Sequence, residues 1–376
     1  MARKQGKTKP KGIKTMSNRV FNFSAGPAVL PLSVLETAQR ELVNYPDAGM
    51  SVMEMSHRSP PYEKIHRSAQ ARIRELMNIN DDFTILFLQG GASLQFSMVA
   101  MNLMWPSRKA DYIITGSWSK LALKEAKREG TINVAGSSEE QQFSCIPDIK
   151  TLTLDPNADY VHITSNNTIY GTQWHQLPST GNVPLVADMS SDIMARPIDI
   201  NAHGLIYAGA QKNLGPAGVT LVIVRKDLLE RAPDSLPTML NYRTFAAKDS
   251  LYNTPPCWSI YMVDLACKWL LDNGGLAAAA KRNNDKAQLI YDMLDQGDFY
   301  RGTVEKSSRS LMNVPFRLPN EDLEKKFVSE AAKLGMQNLK GHRSVGGIRA
   351  SIYNAMPREG VEALVAFMKD FANRNG

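Results

Sequence analysis

Cysteine is scarce. The chain has three in 376 residues, Cys145, Cys257 and Cys267, with no CxxC pair and no Cys/His spacing suited to zinc. An odd, unclustered set argues against a disulfide framework and a metal site, and for a reducing compartment. Long apolar runs are also missing. None reaches the ~18 residues of a spanning helix, and no secretory signal is visible. Acidic residues are absent from residues 1–15, where six basic ones fall (Arg3, Lys4, Lys7, Lys9, Lys11 and Lys14). The formal charge of +7 therefore misleads: outside that tail 38 basic residues stand against 37 acidic ones. The body is near neutral, which argues against nucleic acid as a partner of the fold. The tail is Lys-rich and broken by Gly6, Pro10 and Gly12, unlike an amphipathic transit peptide. A disordered extension, or a start mis-assigned ahead of Met16, is expected; a nucleic-acid arm is the rival reading. A cytoplasmic protein follows, with no membrane partner.

What is present is ordinary globular material, 43% apolar and 22% charged, in a chain too long for one simple core. Short apolar runs alternate with helical segments from about residue 80 to 225. Strands are expected at 83–88, 111–115, 132–135, 160–164, 185–188, 205–208 and 219–225, with helices at 93–104 and 119–129. Such alternation means an α/β domain with a mostly parallel sheet. A helical stretch follows from Pro256 to about Gly297, broken at Asn273-Gly274-Gly275. Residues 312–376 read as a smaller α+β unit, with strands at 312–318 and 348–352 and helices at 321–334 and 358–374.

Lys212 is the most informative residue. It lies in Tyr207-Ala-Gly-Ala-Gln-Lys-Asn-Leu-Gly-Pro-Ala-Gly218, between two apolar strands and among residues with little bulk. An ammonium is costly to desolvate there. A Schiff base with a carbonyl cofactor removes that cost. Pro184-Leu-Val-Ala-Asp188, upstream, ends another apolar strand in a carboxylate. A lysine for the aldehyde and an aspartate for a protonated pyridine nitrogen are what pyridoxal phosphate requires. Asp188 could equally cap the turn before Met189-Ser-Ser.

Other candidates sit at the same strand ends, where open α/β sheets bind ligands. Gly90-Gly-Ala92-Ser93 could receive a phosphate at a helix N-terminus, or be a tight turn. Trp118 could stack on a ring, or be core. The Asn253-Thr254-Pro-Pro256 segment could hold a phosphate or start a helix. His57-Arg58 and His342-Arg343 could bind anions or lie in surface ion pairs. Arg349 differs: Gly347, Ile348 and Ala350 flank it, so it should point inward and need an anion.

Phe21-Asn-Phe-Ser-Ala-Gly-Pro27, Ser51-Val-Met-Glu-Met-Ser-His-Arg58, Ile206-Tyr-Ala-Gly-Ala-Gln-Lys-Asn213, Asn253-Thr-Pro-Pro256 and the long run from Gly341-His-Arg to Asn354-Ala-Met356 together resemble the phosphoserine aminotransferases, class-V members of the fold-type-I pyridoxal-phosphate enzymes. The resemblance spans about Val20 to the C-terminus. It implies a large cofactor domain over 33–274 and a small domain from 19–32 and 275–376, after a basic tail of 1–18. It implies that Lys212 holds the cofactor and then moves a proton, that Asp188 binds the ring nitrogen, that Trp118 stacks on the ring and that Thr168 meets its oxygen region. Ala92, Ser93 and Gln211 would hold the phosphate from one subunit of a homodimer with shared sites, and Asn253 and Thr254 from the other. Arg349 would clamp the substrate α-carboxylate. His57, Arg58, His342 and Arg343 would take the distal phosphate of phosphoserine or the side-chain carboxylate of glutamate. The implied role is serine biosynthesis, with pyridoxine synthesis through 4-phosphohydroxy-L-threonine as an extension. Some members carry Gly-Gly-Gly-Arg where this chain has Gly90-Gly-Ala-Ser93, and Ala25 can offer only backbone to a substrate. A serine–glyoxylate aminotransferase and a cysteine desulfurase are the rivals within the fold; the desulfurase would need a reactive loop cysteine.

Overall fold

The computed structural model describes residues 19–46 and 48–376, so the tail of residues 1–18, with the expectations attached to it, lies outside the described residues. The chain enters through strand β1 (Phe21–Asn22) and helices α1 (Leu32–Glu41) and α2 (Pro60–Met77). Alternating elements follow: β2 (Phe83–Leu88), α3 (Gly91–Leu103), β3 (Lys109–Ile114), α4 (Ser117–Ala126), β4 (Thr131–Ser137), β5 (Val161–Thr164), β6 (Leu185–Asp188), β7 (Leu205–Gly209) and β8 (Thr220–Arg225). Short helices α5 (Lys226–Leu229) and α6 (Tyr242–Ala246) lead to long helices α7 (Cys257–Asp272) and α8 (Gly275–Asp295). The chain ends with β9 (Arg301–Gly302), β10 (Asn313–Arg317), α9 (Glu321–Lys333), β11 (Met336–Gln337), β12 (Ile348–Ser351) and α10 (Arg358–Asn375).

Strands β2 to β8 form one sheet in the order β2-β8-β7-β6-β5-β3-β4. Only β8 runs against its neighbours, β2 and β7; every other pairing is parallel. The expected fold is therefore present. Strands such as β6 and β7 are buried at every position, because helices cover both faces. One face carries Ile163, Ala187 and Ile206 against α2 and α7; the other carries Tyr112, Val186 and Tyr207 against α3 and α4. Each fully buried aliphatic or aromatic side chain contributes roughly 1.5–3 kcal/mol.

The second sheet is small and antiparallel, β12-β10-β9, and packs with α9, α10 and most of α8 around Val314, Phe316, Phe327 and Phe367. Phe23 belongs to this core too, and β1 pairs with β11, so the N-terminal segment returns to the C-terminal unit. Helix α8 spans the two units: Leu276 and Ala279 pack on the large core, and Ala287 to Leu294 on the small one. On this packing we propose the division 33–274 against 19–32 with 275–376.

Candidate active site

The carboxyl ends of β2, β3, β5, β6 and β7 open onto one cavity of about 310 Å³. Its lining includes Ala92, Ser93, Trp118, Thr168, Asp188, Gln211 and Lys212, which come from five separate segments.

Lys212 stands on the turn after β7, where Ala210 accepts from the amides of Leu214 and Gly215. Its stem is packed from outside by the N-terminal segment. A Cβ on Gly26 would lie 3.4 Å from Lys212 Cγ, and the Ala28 amide donates to the Gln211 carbonyl at 2.9 Å. Nζ donates to Thr168 Oγ1 at 2.6 Å and lies 5.7 Å from the Trp118 ring centre. Burial pulls its pKa down to about 8, against the opposing pull of Asp188; the Arg349 guanidinium lowers it further. The amine is thus neutral in a useful fraction of molecules near neutral pH, which an ordinary lysine is not.

Asp188 ends β6, 5% exposed. Burial raises its pKa, opposed by hydrogen bonding to Ser190 and by Lys212. Its Oδ1 accepts from the Ser190 amide at 2.9 Å, so it does cap the following turn while also lining the cavity. The two uses coexist, because capping occupies one oxygen. Among the described residues no ion pair joins Asp188 to Lys212, although the two influence each other's charge. A space between a carboxylate and an amine that feel each other without touching can take a flat group.

Gly90 and Gly91 have φ of 85° and 65°, the left-handed region that glycine enters without strain. They turn the chain from β2 into α3, whose first free amides belong to Gly91, Ala92 and Ser93. Gly90 has no capping side chain to occupy those amides. Trp118 starts α4, and its Nε1 is buried without a partner. Thr164 Oγ1, at the end of β5 and also on the cavity wall, is likewise buried and unpartnered.

Arg349 lies on β12 and reaches across to donate to the Thr168 carbonyl at 3.2 Å. Among the described residues it forms no ion pair, although burial disfavours its charge and lowers its pKa. The inward orientation expected for it holds, and the anion it requires must come from outside the chain.

Arg349 reaches this cavity only through Thr168 and is not in its lining, and the remaining candidates do not line it either. His342 and Arg343 sit on the turn before β12, beside a separate cavity of about 950 Å³. Burial and then the charges of Arg349 and Arg343 lower the His342 pKa, so the turn stays within electrostatic reach of Arg349. His57 and Arg58 precede α2; His57 Nε2 is buried without a partner and Arg58 is exposed. The Asn253 side chain turns to the Thr254 carbonyl, and α7 starts at Cys257 with no side-chain cap, so neither residue caps it. Cys257 and Cys267 lie in α7, and burial raises the pKa of both thiols, Cys267 being fully buried. Three features escaped the sequence reading: Thr164, the Ser190-Ser191 wall and the packing of Gly26 on Lys212, although the segment that carries Gly26 was among the motifs singled out. Thr164 ended an expected strand, so its position was visible; the Gly26 contact spans most of the chain and left no local trace.

The chain resembles known proteins over nearly its whole length. The aminotransferase class-V family model matches residues 20–364. Phosphoserine aminotransferase of Desulfosudis oleivorans is 58% identical over 363 residues, 96% of this chain and 100% of that protein. The solved phosphoserine aminotransferase of Bacillus circulans subsp. alkalophilus superposes with a TM-score of 0.94 at 54% identity, covering 96% of this chain and 100% of the other. The PLP-bound phosphoserine aminotransferase of Trichomonas vaginalis gives 0.89 at 40% identity, over 93% and 100%.

Proposed function

Because this chain belongs to the class-V aminotransferases, and within them to the phosphoserine aminotransferases, we propose that it transfers an amino group between L-glutamate and 3-phosphohydroxypyruvate. The products are 2-oxoglutarate and O-phospho-L-serine. The reading is supported by one observation above all: a lysine with a lowered pKa and a buried aspartate face the same cavity without pairing.

The residues fit pyridoxal phosphate. Unoccupied helix-start amides suit its phosphate, Asp188 suits its ring nitrogen, and Trp118 brings an aromatic ring to the same cavity. Lys212, Gln211 and Thr168 complete the set. Bound there, the cofactor supplies an aldehyde that condenses with amines and a ring that withdraws electrons.

The chain's own residues do the rest. Asp188 stays ionised against a cationic nitrogen, because an opposite charge outweighs the burial that raises its pKa. Lys212 Nζ, once free, takes the substrate Cα proton and returns it; the Thr168 hydroxyl at 2.6 Å steadies it between transfers. Arg349 binds the α-carboxylate and so orients the Cα–H bond. His342 and Arg343 take the distal anion, with His57, Arg58, Asn253 and Thr254 arriving from a second copy in a homodimer. A second copy would bring to the site four residues that lie off the cavity in one chain. We place the enzyme in the cytoplasm, in serine biosynthesis.

The test is glutamate formation from phosphoserine and 2-oxoglutarate, compared with serine, alanine and 4-phosphohydroxy-L-threonine as donors. Strong preference for phosphorylated donors is expected. Equal use of serine and alanine would overturn the substrate assignment.

A further inference from the structure

Lys286, on α8, is only 3% exposed, and no step above uses it. Its ammonium points into the turn that follows β12. There it donates to the carbonyls of Ile352 at 3.0 Å, Tyr353 at 2.5 Å, Met356 at 3.0 Å and, longest, Asn354 at 3.4 Å. An amine gathered by four carbonyls costs much to bury, but an apolar side chain in its place would leave those carbonyls without their donor. Burial, and then the nearby Arg282 charge, pull its pKa down to about 7.

What the turn touches explains why this donor is kept. Tyr353 Oη donates to the Ala25 carbonyl at 2.6 Å, next to the Gly26 that packs on the Lys212 stem. The Asn354 amide donates to Asn213 Oδ1 at 2.9 Å, one residue after Lys212. Asn354 Nδ2 reaches the Met194 carbonyl at 2.9 Å, and Asn283, one helical turn before Lys286, donates to Asn354 Oδ1 at 2.7 Å. Arg349 stands three residues upstream on the strand that feeds the turn. One short segment thus carries the carboxylate-binding arginine and also braces the lysine turn. Lys286 grips it from beneath.

We infer that Lys286 is a positioning residue: by holding the carbonyls of Ile352 to Met356 together, it sets Arg349 and Lys212 at a fixed spacing for substrate binding. The inference rests on the transaminase reading above. Losing the grip would let Arg349 swing and loosen one brace on the Lys212 turn, while Lys212 keeps its own contacts to Thr168 and to the Gly26 segment, and Asp188 and the anion cradle on the large sheet stay in place. The damage should therefore fall on substrate affinity rather than on the chemical step.

The test compares wild type, Lys286→Met and Lys286→Gln in the glutamate–phosphohydroxypyruvate assay, with 2-oxoglutarate binding measured by calorimetry. For Lys286→Met, KM for glutamate should rise roughly tenfold and 2-oxoglutarate binding weaken in parallel, with kcat within about threefold of wild type and cofactor absorbance retained. Lys286→Gln keeps two donors and should fall between. A Lys286→Met protein that melts earlier but keeps wild-type KM shows a merely structural lysine and overturns the inference. If Lys286→Met does not fold, a Lys286→Gln protein with unchanged KM overturns it equally. An inactive wild type would instead sink the transaminase reading itself.

Discussion

Lys212, on the turn after β7, and Arg349, on β12 of the small sheet, converge on Thr168: its hydroxyl accepts from Lys212 Nζ at 2.6 Å and its carbonyl from Arg349 at 3.2 Å. Their closeness adds to burial in lowering the Lys212 pKa to about 8 from 10.5. The site thus keeps a reactive amine and an anion receptor within reach of one substrate.

A pH dependence follows. Below about 8 Lys212 is mostly protonated and only its neutral fraction can attack an aldehyde; above it the amine is mostly free. Cofactor uptake by the stripped chain should quicken as pH rises through 8 and then level off. Between 8 and 10.5 the unfolded chain binds the extra proton, so the stripped chain should also gain stability with rising pH over that window. Stopped-flow absorbance and thermal melts across this range check both. A flat uptake profile would contradict the lowered pKa.

Asp188→Asn removes the charge that keeps a ring nitrogen protonated but preserves shape and the capping contact to Ser190. Cofactor should still bind, while kcat falls by about 10²–10³. Steady-state kinetics on the loaded variant decide it, and an unchanged kcat would remove Asp188 from the chemistry.

The two arginines should separate by substrate. Arg349→Ala should raise KM for glutamate and phosphoserine alike, by roughly 10²-fold, since both carry an α-carboxylate. Arg343→Ala should harm phosphoserine more than it harms cofactor binding. Equal losses of both in Arg343→Ala would refute its assignment to the distal phosphate.

Gly171 packs the Thr168 loop against β10 of the small sheet. Its φ is 78°, and a Cβ there would lie 2.2 Å from Pro315 Cδ and 3.0 Å from the Asn313 carbonyl. Neither a proline ring nor backbone can rotate away. Gly171→Ala should cost about 2–3 kcal/mol in urea unfolding, and a wild-type midpoint would show that the loop and the small sheet part more easily than the packing suggests.

The large sheet was legible because each strand is an apolar run between turn residues. Those at 83–88 and 185–188 occupy the residues expected. Where partners rather than hydropathy set the limits, the ends moved: β3 starts at Lys109, paired with Thr131 of β4, not at Asp111. Asp188 and Lys212 could be read from their places at strand ends. The Gly26 brace on Lys212 and the Lys286 grip on the 352–356 turn could not. They join residues far apart in the chain, and a lone glycine or lysine in sequence carries no sign of what it will meet.

The central claim is that the amine of Lys212, and of no other lysine, engages pyridoxal phosphate. Borohydride reduction of the cofactor-loaded protein, followed by proteolysis and mass spectrometry, reads this directly. The account requires a pyridoxyl-phosphate adduct on the peptide containing Lys212, and its loss in Lys212→Ala. An adduct on another lysine, such as the buried Lys286, or no adduct in protein that has taken up the cofactor, would contradict it.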